Sequence, residues 1–250
     1  DYIMNKKLII VILLISVVFC GCNYKRDKSE IEKIVSDFYI TDYSYKETTE
    51  KYADDGSLIL RLIYEGEVFQ KPYKEHKKVI SCDNFNHTEN KQLNEIYFKG
   101  SDKAVTTYIS TDDGLTKQLT TRNYPYGYAE SITFSKIPDE TFSTDHVDVY
   151  IGEYTVLLSS KNSSFQKLSA TVTQKYYVDK ENKVLTKIET DLTDLNRMRD
   201  TINYISVNGY SLEEAQKKVA LDNEIKEINI LNITKYGDPD DFQIPDIQEY

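Results

Sequence analysis

Residues 103–121 read KAVTTYISTDDGLTKQLTT, and no other stretch indicates the fold as clearly. Two short runs in which apolar and polar residues alternate lie on either side of Asp112-Asp113-Gly114. Asp-Gly between alternating runs is typical of a tight hairpin, because glycine adopts a positive φ at no steric cost. We therefore predict two antiparallel strands, at 103–110 and 115–121.

Similar runs lie on both sides of this hairpin and are separated by turn residues such as Gln70-Lys71-Pro72 and Gly100-Ser101-Asp102. Successive short strands joined by tight turns are typical of an antiparallel meander. The further predicted strands are 57–69, 73–82, 94–99, 147–159, 167–178, 184–192 and 224–234. The pattern predicts an α+β protein that is mainly β.

Helical patterns interrupt the strands in two places. Ser29 and Glu32 form a capping-box pattern, and a helix that starts there presents one apolar face. That face consists of Ile31, Ile34, Val35 and Phe38. A second helical region is predicted at 193–223, where Ser211 and Glu214 repeat the capping pattern. Residues 122–143 look like an irregular crossing segment, with a helical turn near 138–141.

The N-terminal residues have the pattern of an export signal. Met4-Asn5-Lys6-Lys7 is a short basic start, and the apolar run LIIVILLISVVF follows at 8–19. This run is shorter than the roughly 20 residues that a membrane-spanning helix needs. We expect translation to start at Met4 and residues 1–21 to be a signal peptide.

Phe19-Cys20-Gly21-Cys22 resembles a bacterial lipobox, with glycine before the cut and cysteine after it. The resemblance implies a diacylglyceryl thioether on Cys22, an acyl group such as palmitate on its amine, and a lipidated tether at 22–28. The alternative is an uncleaved signal anchor. Both interpretations place the rest of the chain outside the cytoplasm, on the extracytoplasmic face of the cell membrane.

Composition excludes several classes of protein. The chain has 250 residues, of which 40% are hydrophobic, so it can bury a core. Its net charge of −10 argues against nucleic-acid binding, which needs a basic surface. An acidic body is also repelled by an anionic bilayer, so a lipid anchor has to hold the protein at the membrane.

We find no constellation of residues that indicates catalysis or metal binding. His76, His87 and His146 lack metal-ligand spacing, and no Gly-x-Ser-x-Gly motif or phosphate-binding glycine loop occurs. Asp54-Asp55-Gly56 is better explained as a turn than as a calcium loop. Cys82 is either a small buried residue or a reactive thiol, and the first is the commoner case. We expect no enzymatic activity, no metal and no cofactor.

Tyrosine is abundant, with 21 residues, whereas tryptophan is absent. Six tyrosines lie in two segments that look irregular in sequence: Tyr39, Tyr43, Tyr45, Tyr124, Tyr126 and Tyr128. Such residues can line an amphipathic pocket, because each has an apolar ring and a polar tip. The alternative is the ordinary preference of tyrosine for strands.

The sequence resembles the LolA/LppX-like lipoprotein superfamily in two places. Residues 173–188, TQKYYVDKENKVLTKI, look like a hairpin of that group, with tyrosine in place of its tryptophan. Residues 230–239, ILNITKYGDP, resemble its closing strand and tail, which continues here to Pro245. The resemblance implies one domain at 29–250, in which a strongly curved antiparallel half-barrel carries helices on its concave face. Residues 193–223 look like a helical insertion.

Two functions remain open on this basis. In some members of the superfamily the concave face holds acyl chains or lipoproteins, which implies a non-enzymatic lipoprotein that binds a lipid or another amphipathic ligand. The alternative is a structural or interaction lipoprotein with a self-filled core, acting through a protein partner in envelope or spore-cortex processes. The Lys-, Ile-, Asn- and Tyr-rich composition is typical of an AT-rich Gram-positive genome, where lipoprotein shuttling to an outer membrane does not apply.

Overall fold

The computed structural model describes residues 29–244 apart from six segments. These are 85–94, 101–104, 112–113, 121–130, 160–166 and 222–225.

Three helices lie in the described residues, and their ends follow from local sequence. Helix α1 (Glu30–Phe38) begins at Ser29, and both hydrogen bonds of the predicted capping box form. Helix α2 (Thr193–Asn208) ends at Gly209, whose φ of 70° is the left-handed conformation that glycine accepts without strain. Helix α3 (Leu212–Leu221) follows at once, with the second capping pair, Ser211 and Glu214, in hydrogen-bond contact.

The strands form one antiparallel sheet with the spatial order β6-β5-β4-β3-β2-β1-β11-β10-β9-β8-β7. Their bounds are β1 Tyr43–Tyr52, β2 Leu58–Gln70, β3 Tyr73–Asn84, β4 Glu95–Gly100, β5 Val105–Thr111, β6 Gly114–Thr120, β7 Thr133–Phe134, β8 Val147–Ser159, β9 Lys167–Asp179, β10 Leu185–Asp191 and β11 Lys226–Tyr236. The sheet is open, so β6 and β7 lie at its two edges.

Every predicted strand is present with similar bounds, but two further strands were not predicted. The short strand β7 lies in the segment that looked irregular. Strand β1 lies at the centre of the sheet, between β2 and β11. Its sequence, YSYKETTEKY, loses the alternation of apolar residues at Glu47, so the period-2 signal is too weak to identify it.

The helices α1 and α2 pack on the same face of the sheet, which is the concave face of the half-barrel. They contact mainly the strands β8 to β11. The core lies between these helices and the sheet. This arrangement confirms the predicted fold class, a mainly β protein with a curved antiparallel sheet and a few helices on its concave face.

Candidate functional site

The concave face is filled beneath the helices. The four apolar residues of α1 point toward the strands, as predicted, and all are buried. Phe38 contacts the ring of Tyr43, with 4.6 Å between the ring centroids. Leu195 and Met198 of α2 are buried in the same cluster. This half of the face is therefore occupied by the protein's own side chains.

Polar side chains are buried within this filled half, and they form hydrogen bonds with one another. Gln174 is fully buried, and its amide nitrogen donates to the hydroxyl of Thr190 at 3.0 Å. Its amide oxygen accepts from the hydroxyl of Tyr176 at 2.5 Å. Burial raises the pKa of Tyr176 well above its ordinary value, so its hydroxyl stays neutral and can donate.

A second buried polar group lies where the filled half ends, at strands β1, β11 and β3. Glu47 is only 7% exposed, and Asn229 donates to its carboxylate at 2.5 Å. Lys77 forms an ion pair with the other oxygen of the same carboxylate. The ammonium of Lys77 also lies 4.1 Å from the ring centroid of Tyr64. This arrangement holds a paired charge inside the half-barrel.

Beyond Glu47 the concave face continues across β2 to β5, away from the strands that α1 and α2 mainly contact. On this face Glu75 and Lys77 of β3 lie between β2 and β4. Apolar side chains lie on β2, β4 and β5, and all are half-buried. They are Leu62, Tyr64, Ile96, Phe98 and Ile109. We call this set the apolar stripe. It adjoins the Glu47–Lys77 pair, so apolar and charged groups meet on one concave surface.

The six tyrosines singled out by sequence do not form one group in the structure. Tyr43 and Tyr45 lie in strand β1 and are buried, which corrects their placement in an irregular segment. The hydroxyl of Tyr45 donates to Glu75 at 2.7 Å. Tyr39 ends α1 and packs beside the core. Tyr124, Tyr126 and Tyr128 lie outside the described residues.

The candidate reactive residues do not assemble into a site in the described part of the chain. Cys82 is half-buried in β3 and is not in a disulfide. His76 lies in β3 as predicted, and His146 immediately precedes β8. His87 lies outside the described residues. Among those described, no group of three or more His, Cys, Asp and Glu side chains is placed to hold a metal ion.

Two grooves open at the end of the sheet where α2 begins. One has a volume of about 1010 Å³, and its lining includes Glu50, Glu189 and Ile230 from three strands. The other, of about 940 Å³, lies beside α2 and α3. It is lined by charged residues together with Tyr204 and Val207. The sequence carried no signal for either groove, because residues far apart in the chain form them.

Cys22, the predicted lipid-attachment site, lies outside the described residues together with the signal and the tether. No helix within the described ranges is both long and apolar enough to cross a membrane.

Comparison with known proteins gives structural likeness only. No family model matches the chain, and no curated protein matches it. The crystal structure of the Mycobacterium tuberculosis lipoprotein LppX aligns with 85% of this chain and 95% of its own, at 9% identity and a TM-score of 0.39. An outer membrane lipoprotein-sorting protein domain from Vibrio parahaemolyticus aligns with 82% of this chain and 90% of its own, at 12% identity and a TM-score of 0.31. Both alignments cover most of this chain at low identity. At this identity the likeness concerns the course of the chain, and what the protein binds has to follow from its own residues.

Proposed function

We propose that this protein is a lipoprotein, held at the extracytoplasmic face of the cell membrane by a diacylglyceryl group on Cys22, that binds an amphipathic ligand without catalysis. The observation that carries the proposal is the apolar stripe on the concave face. The ligand is a lipid or a peptide with an apolar portion that covers the stripe.

The chemistry of this surface favours an amphipathic ligand over a purely apolar one. Leu62 and Ile96 offer apolar contact, and removing apolar surface from water contributes about 25 cal/mol for each Å². Next to them, Glu47 and Lys77 present a paired charge, with Tyr64 against the ammonium. A ligand that covers this ion pair with apolar groups removes its remaining water without replacing the hydrogen bonds, which weakens binding. The polar end of the ligand therefore lies at the Glu47–Lys77 pair.

We extend the proposal to the organisation of the chain. Residues 1–21 are removed as a signal peptide, residues 22–28 tether the lipid to α1, and residues 29–250 form one domain. Residues 193–223 are a helical insertion in that domain. Support comes from the sheet, in which β1 near the start of the domain pairs with β11 near its end.

Native mass spectrometry of the purified protein, followed by organic extraction, tests the ligand proposal. We expect a co-purified lipid or peptide in the wild-type protein. Leu62→Gln places a polar side chain on the concave face and should lower the yield of that ligand. Ile63→Gln is the matched control, because the neighbouring residue in the same strand points to the opposite face and is also half-buried. Equal yields from the two variants would contradict the proposal.

A structural or interaction lipoprotein is the second candidate. The observation in its favour is the filled core beneath α1 and α2, together with the groove beside α2 and α3. Val207, on the lining of that groove, is 80% exposed. This candidate predicts a wild-type protein without an extractable ligand. It also predicts that Val207→Asp abolishes cross-linking to an envelope protein, whereas Leu62→Gln leaves that cross-linking unchanged.

A further inference from the structure

Glu75 is a charged residue of the concave face that does not belong to the Glu47–Lys77 pair. It lies on β3, two residues before Lys77, so both side chains are on the same face of the sheet. Its carboxylate accepts from two buried tyrosines, Oε1 from the hydroxyl of Tyr45 at 2.7 Å and Oε2 from that of Tyr73 at 2.5 Å. Acceptance at both oxygens is the pattern of an ionised carboxylate.

The charge of Glu75 is not offset by a neighbouring cation. In the described part of the chain no basic side chain forms an ion pair with it, and Lys77 is already paired with Glu47. Its neighbours in register are Val68 on β2, which is buried, and Phe98 on β4, which is half-buried. Because these neighbours are apolar, the carboxylate attracts a cation more strongly than it would in bulk water.

The charges beside the apolar stripe therefore favour one kind of head group. Among the described residues, two carboxylates and one ammonium lie there, those of Glu47, Glu75 and Lys77, which leaves a net charge of −1. An acidic head group is repelled by this surface. An ammonium pairs with Glu75 and leaves the Glu47–Lys77 pair intact.

The backbone beneath the stripe favours an acyl chain over a peptide. Each stripe residue on β2, β4 and β5 lies in a strand that is paired on both sides at that position. The backbone N–H and C=O groups of these strands thus bond within the sheet. A peptide laid across the stripe would lose water from its own amides without gaining backbone partners, whereas an acyl chain has no such groups.

We propose that the ligand of the concave face is a lipid with an ammonium in its head group, and that this ammonium forms an ion pair with Glu75. The acyl chain covers the apolar stripe, and the head group lies on β3 between Glu75 and the Glu47–Lys77 pair. The inference rests on the proposed function, because it names the chemistry of the ligand that the stripe binds.

Competition in native mass spectrometry tests the head group. The full-length protein, held in a neutral detergent, is offered equal concentrations of three probes with the same chain: dodecylammonium, 1-dodecylglycerol and dodecanoate. We expect about ten dodecylammonium adducts for each dodecylglycerol adduct, the effect of one hydrogen bond to a charged group, and the fewest adducts with dodecanoate.

Two variants separate Glu75 from the overall negative charge of the protein. Glu75→Gln should lower the ratio of dodecylammonium to dodecylglycerol adducts to about one. Glu65→Gln is the matched control, because it removes the same charge from an exposed position on the opposite face of β2 and should leave the ratio at about ten. Equal ratios in the two variants would overturn the role of Glu75.

If Glu75→Gln does not fold, Tyr73→Phe replaces it. Removing this hydroxyl leaves Oε2 of Glu75 free to accept from the ammonium, so the preference for dodecylammonium should increase. A preference that stays the same or falls would overturn the proposal.

The remaining outcomes distinguish the inference from the proposed function. Probes that bind the wild type and are lost in Leu62→Gln, but show no preference for the ammonium, refute the inference alone. Absence of adducts with all three probes refutes the proposed function and the inference with it. A blocked peptide of two leucines and one lysine that displaces dodecylammonium at equal concentration overturns the assignment to a lipid.

Discussion

Two glycines allow tyrosine rings to lie close against the backbone of the neighbouring strand. A Cβ on Gly66 would lie 2.6 Å from Cζ of Tyr45. A Cβ on Gly152 would lie 2.7 Å from Cε2 of Tyr176 and 2.9 Å from Cγ2 of Ile132. All three of these side chains are buried, so none can move away without disturbing the core. At these positions the absence of a side chain is what permits the packing.

We expect Gly152→Ala to lower the free energy of unfolding by about 1–3 kcal/mol, because the added methyl group overpacks the core at Tyr176. Urea denaturation measures the loss. Glu153→Ala is the control, since this neighbour is exposed and its removal should change stability by no more than about 0.5 kcal/mol. Equal stabilities for the two variants would show that the core accommodates the methyl group.

A pH-dependent contribution to stability is expected from Glu189 on the convex face. Burial raises the pKa of its carboxyl. The hydrogen bond from Lys175, at 3.0 Å, and the charges of Lys175 and Lys187 lower this pKa by more than burial raises it. The net pKa is below the ordinary value. The folded state therefore favours the ionised form, which stabilises the protein above the unfolded pKa. This contribution is lost as the pH falls through the folded pKa.

Glu189→Gln should accordingly cost about 1 kcal/mol of unfolding free energy near neutral pH, where the ion pair is intact. The difference from wild type should shrink toward zero in acid, as the wild-type carboxyl takes up its proton. Urea denaturation across acid to neutral pH measures it. A difference that is constant with pH would assign the loss to packing rather than to charge.

At the scale of an element, the question is whether α1 is a fixed part of the core or a removable lid over a ligand. Burying each of its four large apolar side chains contributes roughly 1.5–3 kcal/mol, so the helix is docked firmly. Phe38→Ala should then cost about 3–5 kcal/mol of unfolding free energy, as in a filled core. Ile40→Ala is the control, because Ile40 is 59% exposed. A small loss at Phe38, with a change in ligand yield, would instead identify α1 as a lid over the ligand.

The N-terminus of α1 provides a local test of the sequence interpretation. Ser29 accepts from the amide of Glu32, and the carboxylate of Glu32 accepts from the amide of Ser29 at 2.6 Å. Ser29→Ala should cost about 1 kcal/mol of unfolding free energy, because the first turn of the helix loses its cap. Thermal or urea unfolding measures this. Ser36→Ala, in the last part of the same helix, tests whether the loss is specific to the cap.

At the scale of the whole molecule, the prediction concerns the anchor. Cys22→Ala should release the protein from the membrane or leave it as an unprocessed precursor, because the thiol that carries the lipid is absent. Fractionation and the mass of the mature N-terminus measure the result. Cys20→Ala should remain processed and membrane-bound. Wild-type processing and membrane association of Cys22→Ala would refute the lipobox interpretation.

The sequence alone was sufficient to predict the elements that depend on a few consecutive residues. The Asp-Gly hairpin at β5 and β6, the two capping boxes and the long alternating runs each predict their element from neighbouring residues, because turn geometry and side-chain periodicity are properties of a few consecutive residues. The apolar face of α1 was predicted for the same reason. The order of elements also supported the resemblance to a half-barrel.

Tertiary structure alone decided how these elements combine. Strand β1 became central because it pairs with β11, nearly the whole domain away, and Asn229 reaches Glu47 across that pairing. The polar side chains of β1 can be buried only because these partners form hydrogen bonds with them. No local sequence pattern shows such long-range partners. The residues of the apolar stripe likewise come from separate strands. Their contacts depend on sheet order and register, and these are fixed by long-range burial rather than by local sequence.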